Sequence, residues 1–383
     1  MRARTFAAAL FTALVPQLEN ALHVPHVSLG RTGAVAIDLT TGETLYSRNE
    51  ALSLLPASNE KLTVTYAALT ALGPGFRIET DVLQDDAGNL ILKGYGDPTL
   101  SAAQLAVLAR QVRAAGITRV SGGVLADESW FDTRRTAAGW KAAFYIEESP
   151  PLSALIVDRG RLGRYTSNDP ALAAAQLFRA ALVRAGVHVA LGASHGDATA
   201  DAQVVAGVDS PTLAAIVHRM DVDSDNFYAE MLLKQLGAVQ AERGTTSAGA
   251  GVVTGLLAQA GIPLDGVRVV DGSGLSLLDR MTAAALASLL SVMWNDLDLR
   301  LELVASLPVA GRTGTLHSRM RHTVAAGIVR AKTGTTSNAS ALSGFVGDRY
   351  VFSILQNGFP VSWTWARIAQ DRFATALAAA EQP

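Results

Sequence analysis

The chain has no cysteine among its 383 residues. This absence excludes disulfide bonds, thiolate catalysis and zinc sites built on cysteine, although it does not identify the cellular compartment. The seven histidines show no spacing that is typical of metal ligands. The sequence therefore predicts neither thiol chemistry nor a metal centre based on histidine.

The chain also lacks an excess of charge and a long apolar run. Its formal net charge is -2 and 49% of its residues are hydrophobic, which excludes a basic nucleic-acid binder and a disordered chain. No apolar run reaches the roughly 18 residues that a membrane-spanning helix needs. We therefore expect two or three domains with cores of their own, no nucleic-acid partner and at most peripheral membrane contact.

The N-terminal segment allows two interpretations. Residues 5–15 form a short apolar run after Arg2 and Arg4, as in a secretory signal, but no small-x-small cleavage site follows it. The alternative is a first helix of the folded domain, with leucines on one stripe at Leu10, Leu14, Leu18 and Leu22. Both interpretations stay open from the sequence.

The stretch that begins at Pro56 predicts the start of a helix, because an apolar, Leu- and Ala-rich segment follows it. Ser58 would lie in the first turn, with Lys61 one turn further on the same face. A hydroxyl there has unpaired backbone N–H groups beside it and an amine within reach, and a serine nucleophile needs such a base. Alone, Ser-x-x-Lys is a weak signal, since many exposed helix starts carry both residues.

A second candidate motif is Ser224-Asp225-Asn226, in a loop 221–226 between two predicted helices, Thr212–Met220 and Phe227–Leu236. Ser210 is expected to cap the first of these helices. A serine and an amide side chain in this loop could bind a substrate and relay a proton. The alternative is an ordinary helix-capping loop.

A third candidate motif is Lys332-Thr333-Gly334-Thr335, at the end of a predicted strand. Its lysine and threonines would bind a carboxylate. Gly334 would let a substrate backbone approach an edge strand closely. The alternative is an ordinary glycine turn between two strands.

The two ends of the chain predict one sheet. A hairpin near the N-terminus and a meander near the C-terminus supply its strands, which we place at Ala34–Asp38, Glu43–Tyr46, Gly327–Lys332, Ser340–Val346 and Tyr350–Gln356. The fold class is thus α+β, with a five-stranded antiparallel sheet covered by helices. We assign residues 1–75 and 206–383 to a catalytic domain, and residues 76–205 to an inserted, smaller α+β domain.

The three motifs in this order resemble those of penicillin-recognising serine acyl-transferases. More specifically, the chain from about Gly33 to Asn357 resembles the D-alanyl-D-alanine carboxypeptidase/endopeptidase family, the class C penicillin-binding proteins of peptidase family S13. Four stretches carry this resemblance: Leu55–Lys61, Gly94–Leu100, Asp271–Ser276 and Ala331–Thr335. The resemblance implies a catalytic domain like those of penicillin-binding proteins and β-lactamases. Better-known members carry a longer insert with two extra domains, so we expect one inserted domain here, or a trimmed pair.

The resemblance also implies an acyl-enzyme mechanism on peptidoglycan stem peptides ending in D-Ala-D-Ala. Ser58 would attack the carbonyl of the penultimate D-Ala, and Lys61, as a free amine, would take its proton. Ser224 would pass a proton to the leaving nitrogen, and Asn226 would hold the substrate amide. β-Lactams would leave a slow acyl-enzyme, no metal or organic cofactor would be needed, and the protein would work outside the cytoplasm.

The same resemblance assigns substrate binding to the third motif. Lys332, Thr333 and Thr335 would bind the terminal carboxylate, with Gly334 between them. The backbone N–H groups of Ser58 and Thr335 would form the oxyanion hole.

The sequence also suggests two alternative functions and contains three further stretches that are similar to known motifs. A β-lactamase would need a further carboxylate over the acyl bond, for which Glu147 and Glu148 are candidates, and a non-catalytic cell-wall-binding protein could keep the same fold. Gly192–Gly196 imitates a hydrolase elbow and is followed by a segment too polar for a buried helix. The acidic residues of 221–225 imitate a calcium loop without its glycine and glutamate. Arg312–Thr315 echoes the third motif and is interpreted as a loop that could line the cleft.

Overall fold

The structure, a computed structural model, describes residues 14–381. Residues 14–22 are helical, and Leu14, Leu18 and Leu22 are buried in a core cluster. The predicted leucine stripe is therefore confirmed for these residues. Leu10 and most of the signal-like run 5–15 lie outside the described residues.

The elements are numbered in chain order. The helices are α1 (14–22), α2 (Lys61–Leu72), α3 (Ala102–Ala114), α4 (Pro170–Arg184), α5 (Leu213–Asp223), α6 (Asn226–Ala241), α7 (Thr246–Gln259), α8 (Ala283–Asn295), α9 (Leu297–Ser306) and α10 (Trp363–Glu381). The strands are β1 (Thr32–Asp38), β2 (Thr44–Arg48), β3 (Glu79–Gln84), β4 (Leu90–Gly94), β5 (Arg119–Val120), β6 (Val124–Asp127), β7 (Arg161–Leu162), β8 (Tyr165–Thr166), β9 (His188–Val189), β10 (Ala193–His195), β11 (Gln203–Asp209), β12 (Val329–Thr335), β13 (Ala339–Val346) and β14 (Tyr350–Asn357). None of these helices combines the length and the apolar character needed to cross a membrane.

The chain divides into two compact units, of which the first comprises Met1–Thr70, Val217–Asn226 and Val253–Pro383. Its sheet has the strand order β12-β13-β14-β1-β2, and all neighbouring strands are antiparallel. The predicted sheet, formed by an N-terminal hairpin and a C-terminal meander, is therefore confirmed.

Helices cover both faces of this sheet, as the alternating side chains of β1 show. Ala34 and Ala36 belong to a core cluster that includes Phe373 of α10 and the buried leucines of α1. Val35 points to the opposite face and packs against Ala283 of α8. The sheet is thus a central layer that fixes the position of its edge strand β12.

The second unit comprises Ala71–Ile216 and Phe227–Val252. Its five-stranded sheet is mixed, with the order β10-β6-β4-β3-β11, and its core contains apolar residues of α3 and α4. Two adjacent glycines, Gly122 and Gly123, lie between β5 and β6. The α+β texture expected of this part of the chain is present.

The two units and the predicted domains differ in three segments. Residues 71–75, residues 206–216 and Phe227–Val252 group with the second unit, whereas the prediction places them in the catalytic domain. Inside the second unit, Lys234 forms an ion pair with Asp132, and Trp130 donates to Gln235 at 3.0 Å. These polar contacts attach α6 to the segment around residue 130. The domain assignment itself stays a prediction.

The structure corrects the details of the segment around α5. The hydroxyl of Ser210 accepts the Ile78 N–H at 2.9 Å, so this residue does not cap the helix. Thr212 accepts the Ala215 N–H at 3.4 Å, which is the bond expected of an N-cap. The helix also continues to Asp223, which shortens the predicted loop 221–226 to two residues before α6 begins.

Candidate active site

Ser58 lies in a 3₁₀ turn, Ala57–Glu60, that runs directly into α2 at Lys61. The serine therefore precedes the α-helix by one tight turn, where the sequence analysis placed it inside the first turn. Its three companions in the turn are buried, and Ser58 is half-buried. The backbone of Ala57 has a φ of 47°, a left-handed conformation that non-glycine residues rarely adopt. The turn thus exposes one hydroxyl from a fixed, strained backbone.

Two glycines make room for this turn. A Cβ atom on Gly334 would lie 3.0 Å from both the Pro56 oxygen and the Ser58 nitrogen. A Cβ atom on Gly274 would lie 1.8 Å from the Ala57 oxygen. Gly334 was predicted to admit a substrate backbone, but the backbone that closely approaches it here is that of the Ser58 turn. The third motif and the Ser58 turn are therefore packed together.

A buried asparagine links the same two elements. With its amide oriented to satisfy its neighbours, Asn59 donates to the Lys332 carbonyl at 3.0 Å and accepts from the Ser343 hydroxyl at 2.6 Å. Sequence analysis did not single out Asn59, although it lies inside the Ser-x-x-Lys motif. Its role depends on the tertiary position of β12 and β13, which no local pattern shows.

The amine of Lys61 is buried among three oxygen partners. Its Nζ atom lies 3.1 Å from Ser58 Oγ, 2.8 Å from Asn226 Oδ1 and 2.8 Å from the carbonyl oxygen of Ser273. A neutral amine has two N–H groups to donate and one lone pair to accept. The amide and carbonyl oxygens can only accept, so this arrangement leaves the lone pair for the Ser58 hydroxyl.

Ser273, whose carbonyl is one of these oxygens, belongs to Asp271–Ser276. This stretch was one of the four that carry the family resemblance, and the sequence assigned it no role in the site. The carboxylate of Asp271 accepts the N–H groups of Gly274 and Ser276, each at 2.7 Å. These bonds fold the segment into a tight turn and hold the Ser273 carbonyl towards Lys61. The Asp-Gly-Ser-Gly sequence was the available signal, since such residues favour turns with a fixed side chain.

Lys332 and Ser224 form the second half of the site. Lys332 Nζ donates to Ser224 Oγ at 2.8 Å and to the Thr333 carbonyl at 3.0 Å, and its side chain is fully buried. Burial, followed by the neighbouring Lys61, lowers the pKa of the Lys332 amine to about 7, and the carboxylate of Asp221 opposes this shift. Ser224 follows α5 with a φ of 58°, so a strained backbone again supports a candidate functional hydroxyl.

The first unit thus brings together all five residues predicted to be catalytic. They form two hydrogen-bonded groups, Ser58–Lys61–Asn226 and Ser224–Lys332, and Lys61 contributes to the lowered pKa of Lys332. Thr333, Gly334 and Thr335 continue β12, the edge strand of the sheet, beside the Ser58 turn.

Two further residues border the threonines of the third motif. Thr333 Oγ1 donates to Thr315 Oγ1 at 2.7 Å, so the stretch Arg312–Thr315, which is similar to the third motif, contacts β12. Arg367 of α10 lies with its Nη2 atom 3.4 Å from Thr335 Oγ1 and is exposed. The predicted loop is irregular only at Arg312 and Thr313, since a 3₁₀ helix spans Gly314–Leu316. Arg367 was not foreseen, because nothing in its helix pattern marks it.

The other motifs weighed from the sequence do not form comparable sites. Ser194 of the imitated hydrolase elbow lies within strand β10, and no helix follows directly. Glu147 and Glu148 are exposed residues of the second unit. Asp221 is buried and Asp223 exposed, so their carboxylates do not converge as calcium ligands would.

One group of potential ligands was not anticipated, and it lies in the second unit. Ligand atoms of Glu128, Asp169 and His195 lie within 4.8 Å of one another. Arg135 already binds both oxygens of Glu128, at 2.5 and 2.7 Å. A guanidinium in that position neutralises the carboxylate, so these residues make a poor cation site.

Solved structures share this fold. Penicillin binding protein 4 (dacB) from Haemophilus influenzae superposes with a TM-score of 0.82 at 21% identity, covering 96% of this chain and 98% of that one. A predatory peptidoglycan endopeptidase from Bdellovibrio bacteriovorus superposes with a TM-score of 0.56 at 18% identity, covering 85% and 86% of the two chains. The predicted α+β, penicillin-binding-protein-like fold is confirmed.

Sequence comparison reaches closer relatives. The D-alanyl-D-alanine carboxypeptidase of Actinomadura sp. (strain R39) is 33% identical in an alignment that covers 91% of this chain and 82% of that protein. Carboxypeptidase DacB of Mycolicibacterium smegmatis is 33% identical in an alignment that covers 91% of this chain and 80% of that protein. The sequence profile of one peptidase family matches residues 14–168 and 163–379. The chain therefore belongs to the D-Ala-D-Ala carboxypeptidase 3 (S13) family.

Proposed function

We propose that this S13 peptidase is a serine D-Ala-D-Ala carboxypeptidase that acts on peptidoglycan stem peptides outside the cytoplasm. Ser58 is the nucleophile and Lys61 its general base. The observation that carries this proposal is the Lys61 amine, whose Nζ lies 3.1 Å from Ser58 Oγ while two other oxygens take its hydrogens. A serine becomes nucleophilic when such a base accepts its proton.

In the acylation step, Ser58 Oγ bonds to the carbonyl carbon of the penultimate D-Ala and its proton moves to Lys61. The negative charge that forms on the carbonyl oxygen is stabilised by the backbone N–H groups of Ser58 and Thr335. Collapse of this intermediate breaks the peptide bond, and the leaving nitrogen takes a proton through Ser224. Free D-Ala and an ester on Ser58 result.

Substrate binding uses the two ends of the site. Lys332, Thr333 and Thr335 bind the terminal carboxylate, and Asn226 holds the substrate amide. A bound carboxylate adds a negative charge near the buried Lys332 amine and favours its protonated form. This interaction selects peptides with a free C-terminus.

Deacylation completes the cycle when water attacks the Ser58 ester. A β-lactam opens on Ser58 in the same way, but its ring fragment stays attached, so the acyl-enzyme persists. One solved structural neighbour, penicillin binding protein 4 from Haemophilus influenzae, is described in complex with a β-lactam. Cross-linked stem peptides carry a comparable peptide bond after a D-Ala residue, which makes endopeptidase activity a second outcome to measure.

The proposal is tested by the release of D-Ala from a pentapeptide ending in D-Ala-D-Ala. We expect release by the wild type and none by Ser58→Ala, with the same circular dichroism spectrum for both. Rapid turnover of nitrocefin without D-Ala release would instead indicate a β-lactamase. Neither activity, in a folded wild-type protein, would indicate a non-catalytic binding protein and contradict the proposal.

A further inference from the structure

A buried acid lies behind the two lysines and has no part in the mechanism above. Asp221 is fully buried, and its Oδ2 atom accepts the Thr65 hydroxyl at 2.6 Å and the Ser306 hydroxyl at 3.3 Å. Its other oxygen, Oδ1, has no hydrogen-bond partner among the described residues. An uncompensated carboxylate in the interior is costly, and such groups usually serve a purpose.

The elements that hold Asp221 lead to both amines of the site. Thr65 lies one turn beyond Lys61 on the same face of α2. Asp221 itself lies in the last turn of α5, three residues before Ser224. The hydroxyl of Ser224 binds the Lys332 amine. The carboxyl group is therefore connected to Lys61 through Thr65 of α2, and to Lys332 through the end of α5 and Ser224.

We propose that Asp221 is a positioning residue whose single carboxylate is the counter-charge that keeps one proton on the Lys61–Lys332 pair. Two buried amines beside one anion carry one proton most stably, since a second proton would leave a net positive charge in the interior. With the proton on Lys332, Lys61 is the free amine that the proposed function requires. The inference rests on that function.

The charges around Asp221 agree with this role. Burial raises the pKa of its carboxyl, and Lys332, Lys61 and the hydrogen bonds from Thr65 and Ser306 limit this rise, so the resulting pKa is about 6. On its own helix, Asp223 and Arg219 are exposed and face each other at 4.0 Å, and His218 binds the carbonyl oxygen of Ala305 through its Nδ1 atom at 2.8 Å. Above about pH 6, Asp221 is thus an anion that stabilises the Lys332 ammonium.

The test is the titration of Lys332 in Asp221→Asn. Loss of the negative charge lowers the Lys332 pKa, so the midpoint measured by NMR on protein with ¹⁵N-labelled lysine should fall by at least half a pH unit. The signal is assigned by its absence in Lys332→Met. Acylation by benzylpenicillin should fall about tenfold at pH 8 for each unit of that shift, and change little at pH 6.

The control is Asp223→Asn, which removes an exposed charge from the same helix and should leave the midpoint unchanged. An unmoved midpoint in Asp221→Asn, or an equal shift in Asp223→Asn, would overturn the inference. If Asp221→Asn does not fold, Thr65→Val serves instead. It removes one bond to the carboxylate, favours the neutral acid, and should lower the Lys332 midpoint in the same direction, whereas an unmoved midpoint overturns the inference.

The titration needs no catalysis, so the two proposals fail separately. If benzylpenicillin acylates Ser58 but the Lys332 midpoint is the same in wild type and Asp221→Asn, only the role of Asp221 is wrong. If Ser58 is never acylated in the folded wild type, the proposed function is wrong, and with it the catalytic meaning of the charge pair.

Discussion

At the residue scale, the site depends on amines that are buried rather than exposed. A lysine in water keeps its proton far above neutral pH, whereas burial lowers the pKa of Lys332 to about 7. Sequence alone indicated Ser58, Lys61 and Lys332, because their spacing and order follow a chemical requirement. It could not indicate Asp221 or the Ser273 carbonyl, since their roles exist only after three distant segments have packed together.

The Lys332 pKa gives a pH dependence for substrate capture. The free enzyme loses the Lys332 ammonium as pH rises through about 7, and with it an attraction for the substrate carboxylate. We expect kcat/KM for a D-Ala-D-Ala peptide to fall above that pH, because this ratio reports the free enzyme. The control is the same peptide with an amidated C-terminus, which should show a weaker alkaline decline. Equal declines for both peptides would contradict the assignment.

The lowered pKa of Lys332 also makes the free energy of unfolding depend on pH. The folded state disfavours the charged Lys332, so its contribution to the free energy of unfolding is lost as pH falls from the unfolded value of 10.5 towards about 7. Lys332→Met has no such dependence. We therefore expect the stability of Lys332→Met relative to the wild type to increase as pH is lowered from 10 to 7, as measured by urea unfolding. A constant difference would show that the amine is hydrated.

At the element scale, the site is an edge strand packed against a tight turn. The sequence predicted both elements, since each has a local signal, but not that Gly334 serves their contact. The helices α7 and α9 were not predicted either. Glycines interrupt the apolar pattern of α7, and one of them, Gly249, lies where a Cβ would meet the Leu233 carbonyl at 1.8 Å. These glycines allow close packing between elements, an effect that helix propensities do not include.

Gly334→Ala tests the contact between the strand and the turn. The new methyl group would lie 3.0 Å from two backbone atoms that cannot rotate away, so the Ser58 turn must shift. We expect a loss of about 1–3 kcal/mol in stability and at least a tenfold slower acylation by benzylpenicillin. The matched control is Gly255→Ala on α7, which meets nothing within 4 Å and should leave acylation unchanged. Wild-type acylation by Gly334→Ala would show that the turn is not held by this strand.

At the scale of the whole molecule, the two ends of the chain meet in one sheet and its core. Strand β1 pairs with β14, and α10 covers the face that α1 also covers. Short strand-like segments separated by turns that contain glycine or aspartate made the sheet predictable. The boundaries between the two units were less predictable from the sequence, because ion pairs and hydrogen bonds between distant segments determine which unit includes Phe227–Val252.

Phe373 tests whether α10 belongs to this shared core. It is fully buried on α10, with its ring 5.5 Å from Tyr46 and 6.3 Å from Phe352. We expect Phe373→Ala to lower the free energy of unfolding by about 3–5 kcal/mol in urea, since it leaves a cavity. Leu301→Ala removes a side chain that is 76% exposed and should have an effect under about 0.5 kcal/mol. Similar values for both variants would mean that α10 is not part of the core.

The central claim is that Ser58 is the nucleophile of a β-lactam-sensitive peptidase. The direct measurement is mass spectrometry of the full chain after benzylpenicillin treatment, followed by peptide mapping of the adduct. We expect one penicilloyl group per molecule, attached to Ser58, and no adduct in Ser58→Ala. An adduct on another residue, or an unmodified protein that is correctly folded, would contradict it.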